Sequence, residues 1–170
     1  MPTGDKLRYR AGPVPFRIVL IEPEIPPNTG AVARTCVATS TPLHLVGELG
    51  FDISDHAVRR AGLDYWPLLD LHRHDDFEAF RAEFPAARPV LFSANASRSY
   101  LDAELSPGDA LVFGRESVGL PRALTDRYGS FGIPTAGGVR SLNLSNAVSI
   151  ALYEGLRRSG ALNDTFVSST

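Results

Sequence analysis

The stretch that most constrains the fold is residues 133–154, IPTAGGVRSLNLSNAVSIALYE, because it joins a strand end, a glycine-rich loop, a polar run and a long helical pattern. Residues 139–146 place four amide or hydroxyl side chains and a guanidinium directly before that helix, where free backbone N–H groups also collect. A helix cap needs only one such residue. The surplus favours a ligand-binding loop over the alternative, a well-capped helix.

Short apolar runs alternate with helical patterns along the rest of the chain. Strands are predicted at residues 16–22, 43–46, 68–71, 89–93, 110–113 and 131–133. Helices are predicted from a cap near Asn28, at 54–60, at 75–84, at 121–128, and from the polar run to about Arg158. The prolines before Asn28 are expected to prevent an earlier start. This alternation predicts an α/β fold, a single-domain parallel sheet with helices on both faces.

The size of the chain fits one domain, since 170 residues that are 44% hydrophobic can bury a large core. Residues 1–15 carry Lys6, Arg8 and Arg10 among glycines and prolines, and are expected to form a flexible basic tail. Residues 161–170 are expected to form a second tail. The predicted domain is therefore residues 16–160.

The single cysteine, Cys36, excludes disulfide frameworks and cysteine-based zinc sites, and its apolar surroundings favour a core position. No run of about 18 apolar residues occurs, and the first residues lack the apolar region of a secretory signal. A soluble, cytoplasmic protein without membrane contact is expected.

A formal net charge of −2 argues against a protein that coats nucleic acid indiscriminately. Lys6 is the only lysine, so nearly all positive side chains are arginines, whose planar forks suit phosphate. Genome composition explains the same bias equally well.

Two aromatic patterns are interpreted structurally. His72 and His74 would suggest a metal only if carboxylates and a third ligand converged on them, and a solvated turn is favoured. Phe77, Phe80 and Phe84 recur at helical spacing and are predicted to be core residues rather than a cofactor site.

Three polar or glycine-containing loops follow predicted strands, after Ser93, Phe113 and Ile133. In open parallel sheets, ligands bind at the carboxyl ends of the strands. The segment GRESVG does not match the G-x-S-x-G nucleophile elbow, because Arg115 stands where the first glycine is needed, which disfavours a serine hydrolase. The G-x-G-x-x-G and G-x-x-x-x-G-K-[ST] fingerprints are also absent. The loops predict a pocket whose ligand is held in another way.

Three groups of residues in this chain resemble the signature motifs of the SPOUT (SpoU) RNA 2′-O-ribose methyltransferases. They are Asn28-Thr29-Gly30 with Arg34, FGRESVGLP at residues 113–121, and Ile133-Pro134 with RSLNLSN at residues 140–146. The likeness runs from about Phe16 to Arg158, includes EPEIPPNTG and RRAGLDYW, and is greatest with the small tRNA (cytidine/uridine-2′-O)-methyltransferases that act on the wobble nucleotide.

This resemblance implies an α/β knot fold, in which the C-terminal segment forms a deep trefoil knot, a rare exception to the rule against knots. It also implies S-adenosyl-L-methionine as cofactor, S-adenosyl-L-homocysteine as product, no metal, tRNA as substrate, and a homodimer with its active site at the subunit interface. The departures are Asn95, where relatives often have lysine, and Ala31, where they often have asparagine. These leave the exact tRNA target open.

The resemblance also implies roles for individual residues. Catalysis is assigned to Arg34, Asn28, Glu116, Ser141 and Asn143. Cofactor contacts are assigned to Ala94, Gly114, Ile133, Ser141, Leu142 and Leu144. RNA contacts are assigned to Arg140, Arg115, Arg98 and Tyr153, although Arg140, Arg115 and Arg98 are each also readable as solvated charges.

The alternatives for two of these residues remain open. Glu116 is as readily explained as an anchor that holds its loop through backbone N–H groups. Arg34 keeps its proton, so its expected role is to hold phosphate and stabilise a developing alkoxide, and the alternative is a plain surface arginine.

Methyl transfer itself requires in-line positioning and loss of the ribose hydroxyl proton, without a covalent protein intermediate. The alternatives to a wobble enzyme are the same reaction at another tRNA or rRNA nucleotide, and a non-catalytic RNA-binding knot protein. In the last helix, Ala147, Ala151 and Gly155 form a strip of small residues that is predicted to be buried, in the knot or in the dimer interface.

Overall fold

The computed structural model describes residues 4–54 and 64–169, and its centre is a seven-stranded parallel sheet. The strands are β1 (Lys6–Tyr9), β2 (Arg17–Ile21), β3 (Leu43–Val46), β4 (Leu71–His74), β5 (Pro89–Phe92), β6 (Arg98–Ser99), β7 (Ala110–Phe113), β8 (Phe131–Gly132) and β9 (Thr165–Ser168). The helices are α1 (Pro26–Thr39), α2 (Phe77–Glu83), α3 (Arg122–Tyr128) and α4 (Leu144–Arg158), with 3₁₀ turns at Trp66–Leu68 and Tyr100–Asp102. The sheet order is β4-β3-β2-β7-β5-β8-β6. The predicted α/β class with a parallel sheet is confirmed.

Both faces of the sheet are covered, because side chains alternate between the faces along each strand. Ile18 and Leu20 of β2 pack in a core with residues of α1 and α4. Val19 and Ile21 face the opposite core, which contains Phe80 and the other aromatic residues of α2. The core role predicted for these phenylalanines is confirmed. No described helix is long and apolar enough to cross a membrane.

Helix α4 carries the predicted strip of small residues on its packed side. Ala151 and Gly155 are buried and Ala147 is half-buried. A Cβ on Gly155 would lie 2.9 Å from the ring of Phe16, so a larger residue would displace that ring. The predicted burial is confirmed for Ala151 and Gly155, and Gly155 packs against Phe16 of the same chain.

Helix α1 begins earlier than the sequence suggested. Ile25 is its N-cap residue, and Pro26 and Pro27 form its first positions. The expectation that the prolines delay the helix until Asn28 was wrong, because the first turn of a helix does not use its own N–H groups. Asn28 therefore lies inside the helix and is buried, while Arg34 lies on its exposed side.

The predicted strand at residues 68–71 is displaced toward the C-terminus. A 3₁₀ turn occupies Trp66–Leu68, and β4 contains His72 and His74. The expectation of a solvated turn for these histidines was wrong, since pairing with β3 extends the strand through them. Strand β6 was not predicted either. The helix predicted at 54–60, with Arg59 and Arg60, and the start of RRAGLDYW fall on residues 55–63, outside the described part of the chain.

Three histidines meet at this edge of the sheet, and we name His44, His72 and His74 the histidine cluster. His44 Nδ1 lies 3.0 Å from His74 Nε2, and the rings of His44 and His72 stack at 4.6 Å. Phe80 and Phe84 pack edge-on against His44. His44 and His74 are buried, so their rings form a polar part of the core, while His72 is half-buried.

The two chain ends pair with each other, and we name β1 and β9 the terminal ribbon. The strands are antiparallel, with Leu7 opposite Val167. The Tyr9 hydroxyl donates to the backbone oxygen of Thr39, at the end of α1, over 3.0 Å. Residues 6–9 and 165–168 thus form strands where the sequence predicted flexible tails, because a pairing between residues so far apart leaves no local pattern in the sequence. The domain limits at residues 16 and 160 stay a prediction.

Candidate active site

A pocket of about 430 Å³ opens at the carboxyl ends of β5, β7 and β8. This volume is within the usual range of small-molecule sites, about 300–1,000 Å³. The three loops that leave these strands converge on the pocket, as the sequence predicted, together with the first turns of α1 and α4. The lining residues are Ile25, Asn28, Phe92, Ser93, Ala94, Asn95, Phe113, Gly114, Arg115, Glu116, Ser117, Val118, Gly119, Phe131, Ile133, Thr135, Arg140, Ser141, Leu142, Asn143, Leu144 and Ala147.

Glu116 links the loop after β7 to the start of α1. Its Oε2 accepts from the backbone N–H of Glu24 at 2.9 Å, and its Oε1 accepts from the backbone N–H of Ile25 and from Asn28 Nδ2, each at 3.2 Å. Both carboxylate oxygens are therefore occupied by groups that fix the loop. This geometry favours the anchoring alternative for Glu116.

Glu24 returns the contact from the other side. Its carboxylate accepts from the backbone N–H and from the hydroxyl of Ser117, each at 2.9 Å. Both bonds lower the pKa of the Glu24 carboxyl below its usual value, and the bond from the hydroxyl has the larger effect. A neighbouring pair, Arg115 Nε with Glu22 Oε2 at 2.9 Å, connects the same two segments.

Asn143 joins the start of α4 to this network. Its Nδ2 donates to Asn28 Oδ1 at 2.8 Å, while its Oδ1 caps α4 by accepting from the backbone N–H of Ser145 at 2.9 Å. We name Glu24, Asn28, Glu116, Ser117 and Asn143 the loop brace. It connects three segments of the chain that are far apart in sequence.

Gly114 lies where the loop folds back on itself. Arg115 and Gly119 exchange two backbone hydrogen bonds, of 3.1 and 2.8 Å, which close the turn. A Cβ on Gly114 would overlap the backbone of Gly119 and Leu120. Glycine is therefore required here for close backbone approach.

Most of the residues predicted for catalysis or cofactor binding line the pocket, but three of the predicted residues do not. Arg34 lies on the exposed side of α1, with its guanidinium 4.9 Å from the ring centroid of Tyr65. Arg98 stacks over Phe131 at 4.4 Å, outside the lining. Tyr153 is exposed on α4. Arg34 therefore does not meet Glu116 and Asn143 within the chain.

Sequence reasoning missed Glu22, Glu24 and Ser117 as site residues. Glu22 and Glu24 each bond to residues 93 positions away. Both glutamates stand just before α1 in a segment quoted above only for its resemblance. No local pattern shows which distant loop such a carboxylate meets.

Other reactive groups in the described residues do not form a site. No group of three or more His, Cys, Asp or Glu side chains in residues 4–54 and 64–169 could hold a metal ion. Cys36 is buried, and burial raises the pKa of its thiol, so the reactive thiolate is disfavoured.

Comparison with known proteins identifies relatives over nearly the whole chain. The profile of the SpoU rRNA Methylase family matches residues 15–153. A tRNA (cytidine(34)-2′-O)-methyltransferase from Burkholderia pseudomallei (strain 1106a) is 45% identical over 150 residues, which cover 85% of this chain and 96% of that protein.

Two solved structures share the fold. One, described as giving structural insights into the 2-OH methylation of C/U34 on tRNA, is 49% identical with a TM-score of 0.80, covering 86% of this chain and 97% of that one. The other is an AdoMet-bound rRNA methyltransferase from Sinorhizobium meliloti, 28% identical with a TM-score of 0.72, covering 88% of this chain and 61% of that one.

Proposed function

The chain belongs to the SpoU rRNA Methylase family, and on this premise we propose that it transfers a methyl group from S-adenosyl-L-methionine to the 2′-hydroxyl of the wobble cytidine or uridine of tRNA. The family predicted from the three motifs is confirmed. The observation that carries the proposal is the pocket, which the motif residues build in a chain closely similar to relatives named for this reaction.

The residues that line the pocket suit S-adenosyl-L-methionine. Leu142, Leu144 and Ile133 offer apolar surface for an adenine ring, and Ala94 and Gly114 line the same pocket. The relative from Sinorhizobium meliloti binds AdoMet. When bound, the cofactor supplies an electrophilic methyl group on a sulfonium sulfur. We assign its binding to these five residues and Ser141.

The protein's own contribution is positioning. The loop brace fixes the loop after β7 and the starts of α1 and α4, so Asn28, Glu116 and Asn143 act by holding the walls of the pocket. Ser141 and Arg140 line the pocket and are exposed, which suits contacts with the ribose and with a phosphate or the cofactor carboxylate. The ribose hydroxyl would lose its proton to solvent or to an RNA phosphate oxygen as it accepts the methyl group, and S-adenosyl-L-homocysteine would be the leaving group.

The position of Arg34 supports a homodimer. Helices α1 and α4 pack side by side, with Thr35 Oγ1 and Ser149 Oγ 3.3 Å apart. Their outer sides expose Arg34, Ile150 and Tyr153. Pairing two copies through this surface would cover the apolar side chains and offer Arg34 to the pocket of the partner. The proposed active site therefore lies at the subunit interface.

The path of the chain supports the proposed trefoil knot. Strand β8 lies beyond β5, at the far side of the sheet from β2, yet α4 returns to pack against α1 and β7. The connecting residues 133–143 pass the loops after β5 and β7 on the way. An experimental structure with continuous density through residues 93–144 tests this threading directly.

Methylation of purified tRNA tests the proposed activity. The full chain is incubated with labelled S-adenosyl-L-methionine and tRNA transcripts, and mass spectrometry of nuclease digests locates the methyl group. We expect it at the wobble 2′-oxygen. A transcript with a 2′-deoxy wobble nucleotide is the matched control and should accept none. Wobble methylation that is unchanged in tRNA from cells lacking the gene would contradict the proposal.

Ribosomal RNA is the second candidate substrate, because the family description and the relative from Sinorhizobium meliloti both name rRNA. The same assay with deproteinised rRNA separates the two. Label in rRNA and none in tRNA would favour this alternative. We also propose a cytoplasmic location, which action on tRNA would suit.

A further inference from the structure

The terminal ribbon lies outside the part of the chain that the family shares. Both of its strands fall beyond residues 15–153. The Burkholderia relative is matched over 96% of its own length, yet only 85% of this chain takes part in the match. The ribbon is therefore an addition to the structure that these two share.

One face of the ribbon is cationic. Lys6, Arg8 and Arg10 alternate along β1 and just beyond it, so they share a face. Phe166 is paired opposite Arg8, and the Arg10 guanidinium lies 5.6 Å from the centroid of its ring. This contact places the Arg10 side chain over the ribbon.

These cations are largely available to a partner. Arg8 and Arg10 are exposed and Lys6 is half-buried. Neither Lys6 nor Arg8 forms an ion pair with another residue in the described parts of the chain, while Arg10 Nε lies 3.5 Å from Asp164 Oδ2 in an exposed pair. An exposed pair of this kind is weak, worth about 0–1 kcal/mol. Asp164 is therefore the ion-pair partner of one of the three cations, and the nearby Asp5 accepts a hydrogen bond from Ser169, in a protein whose net charge is −2.

The ribbon is held against the body of the protein. A two-stranded ribbon is only marginally stable alone. Here Tyr9 packs on the core and bonds to Thr39, and burial raises the pKa of its hydroxyl. The cationic face is therefore presented from a fixed point at the end of α1.

The distance from the pocket suits one large ligand. Asn28 lies in the first turn of α1 and Thr39 is its last residue, and a helical rise of 1.5 Å per residue places the two about 16 Å apart. A tRNA whose wobble nucleotide enters the pocket extends well beyond this distance.

We propose that the cationic face of the terminal ribbon binds the sugar-phosphate backbone of the tRNA, away from the nucleotide that is methylated. This inference rests on the proposed function. Lysine and arginine contacts to phosphate release counterions and fix the orientation of the RNA without reading its sequence. The ribbon thus strengthens tRNA binding and leaves cofactor binding to the pocket.

Salt-dependent binding of the full chain to tRNA tests the inference. The variant Lys6→Gln/Arg8→Gln/Arg10→Gln removes the charges, and Lys6→Arg/Arg8→Lys/Arg10→Lys is the matched control that keeps them. With about 0.7–0.9 counterions released per contact, the slope of log Kd against log salt should fall by about 2–3 in the first variant. Its Kd should rise at least about tenfold, whereas the control should match the wild type.

Three results would overturn the inference. A glutamine variant with the wild-type slope and Kd would show that the ribbon takes no part in RNA binding. Methylation of tRNA by the wild-type protein would in that case leave the proposed function intact. If the glutamine variant without RNA sediments differently from the wild type but keeps the wild-type slope of log Kd against log salt, the ribbon instead forms a contact between two copies of the protein. A wild-type protein that neither binds nor methylates tRNA overturns both proposals. S-adenosyl-L-methionine affinity and the urea midpoint should be unchanged in every variant.

Discussion

The loop brace and the histidine cluster both bring polar side chains together beside the same sheet, but they do so in opposite surroundings. The brace joins loops, where no strand pairing fixes the backbone, and its carboxylates accept mainly from N–H groups at the rim of the pocket. The cluster sits on β3 and β4, whose backbone pairing already fixes it, and its rings pack against Phe80 and Phe84.

This difference predicts a division of labour. Changes in the brace and its loop should alter ligand binding most, since they move the pocket walls. Changes in the cluster should alter stability, and with a dependence on pH, while leaving the pocket in place. Each of the following variants either separates these two effects or shows that they are coupled.

The largest effect is expected from Gly114→Ala. The added methyl group overlaps the backbone of Gly119 and Leu120, so this loop, which lines the pocket, must change its path. Overpacking of this kind costs about 1–3 kcal/mol, and we expect cofactor affinity to fall by about ten- to a hundredfold. Isothermal titration with S-adenosyl-L-methionine measures it.

Gly12→Ala is the matched control for this change, because a Cβ at Gly12 meets nothing within 4 Å. It should bind cofactor as the wild type does. Wild-type affinity in Gly114→Ala would show that the loop can yield without moving the pocket wall.

The next effect is expected from Glu116→Ala. The change leaves the N–H groups of Glu24 and Ile25 and the amide of Asn28 without their acceptor. Hydrogen bonds to a charged group are worth about 1.5–3 kcal/mol, and partial exposure places this loss at the lower end. We expect a severalfold to tenfold weaker cofactor and a lower urea midpoint.

Glu116→Gln separates the two roles left open for this residue. The amide keeps one acceptor oxygen, so an anchoring residue should recover a large part of the lost affinity and stability. A variant that regains stability but transfers no methyl group would indicate direct participation in the reaction and contradict the anchoring role.

The sequence predicted the pocket region around the loop brace far better than it predicted the histidine cluster. The polar run before α4 and the glycine at 114 are local signals, since caps and close turns select particular residues. They correctly located the pocket at the strand ends. Strands found at their predicted positions, such as β3 and β7, are continuous apolar runs whose pattern is also local.

What the sequence did not predict depends on contacts between distant segments. Glu24 meets Ser117, and β1 meets β9, only because the sheet brings remote residues together. His72 and His74 look like turn residues until β3 supplies a partner strand and aromatic packing. Arg34 does not share a side with Asn28 because both lie within α1, and a spacing of six residues places them on different sides of the helix.

A pH-dependent effect on stability is expected from His44→Gln. Burial, reinforced by the nearby His72, Arg17 and His74, lowers the pKa of His44 to about 3. In the unfolded chain His44 has a pKa near 6.5, so as the pH falls the unfolded state binds a proton before the folded state does. The contribution of neutral His44 to the stability of the fold is therefore complete above about pH 6.5 and is lost as the pH drops toward 3. In this window the wild type should lose about 1.4 kcal/mol per pH unit.

At pH 7.5 the His44→Gln variant should be less stable by about 1–2 kcal/mol, because the contacts with His74 and Arg17 are lost. By pH 5 the difference should have largely disappeared. Urea unfolding at the two pH values measures it, and cofactor affinity at pH 7.5 should be unchanged. Parallel pH profiles for the two proteins would remove His44 as the source.

The smallest effect is expected from Ser117→Ala, which tests whether the outer bonds of the brace matter to the pocket. The change removes the hydroxyl bond to Glu24 and keeps the backbone N–H bond. Because the pair is exposed to solvent, stability should hardly change, whereas S-adenosyl-L-methionine affinity should fall only a few fold. Glu24→Ala removes both bonds and should weaken the cofactor further, and Glu24→Gln should lie between the two. This order of cofactor affinities follows from the number of bonds that hold the loop. Equal affinities in all three variants would show that Glu116 and Gly114 alone fix the loop.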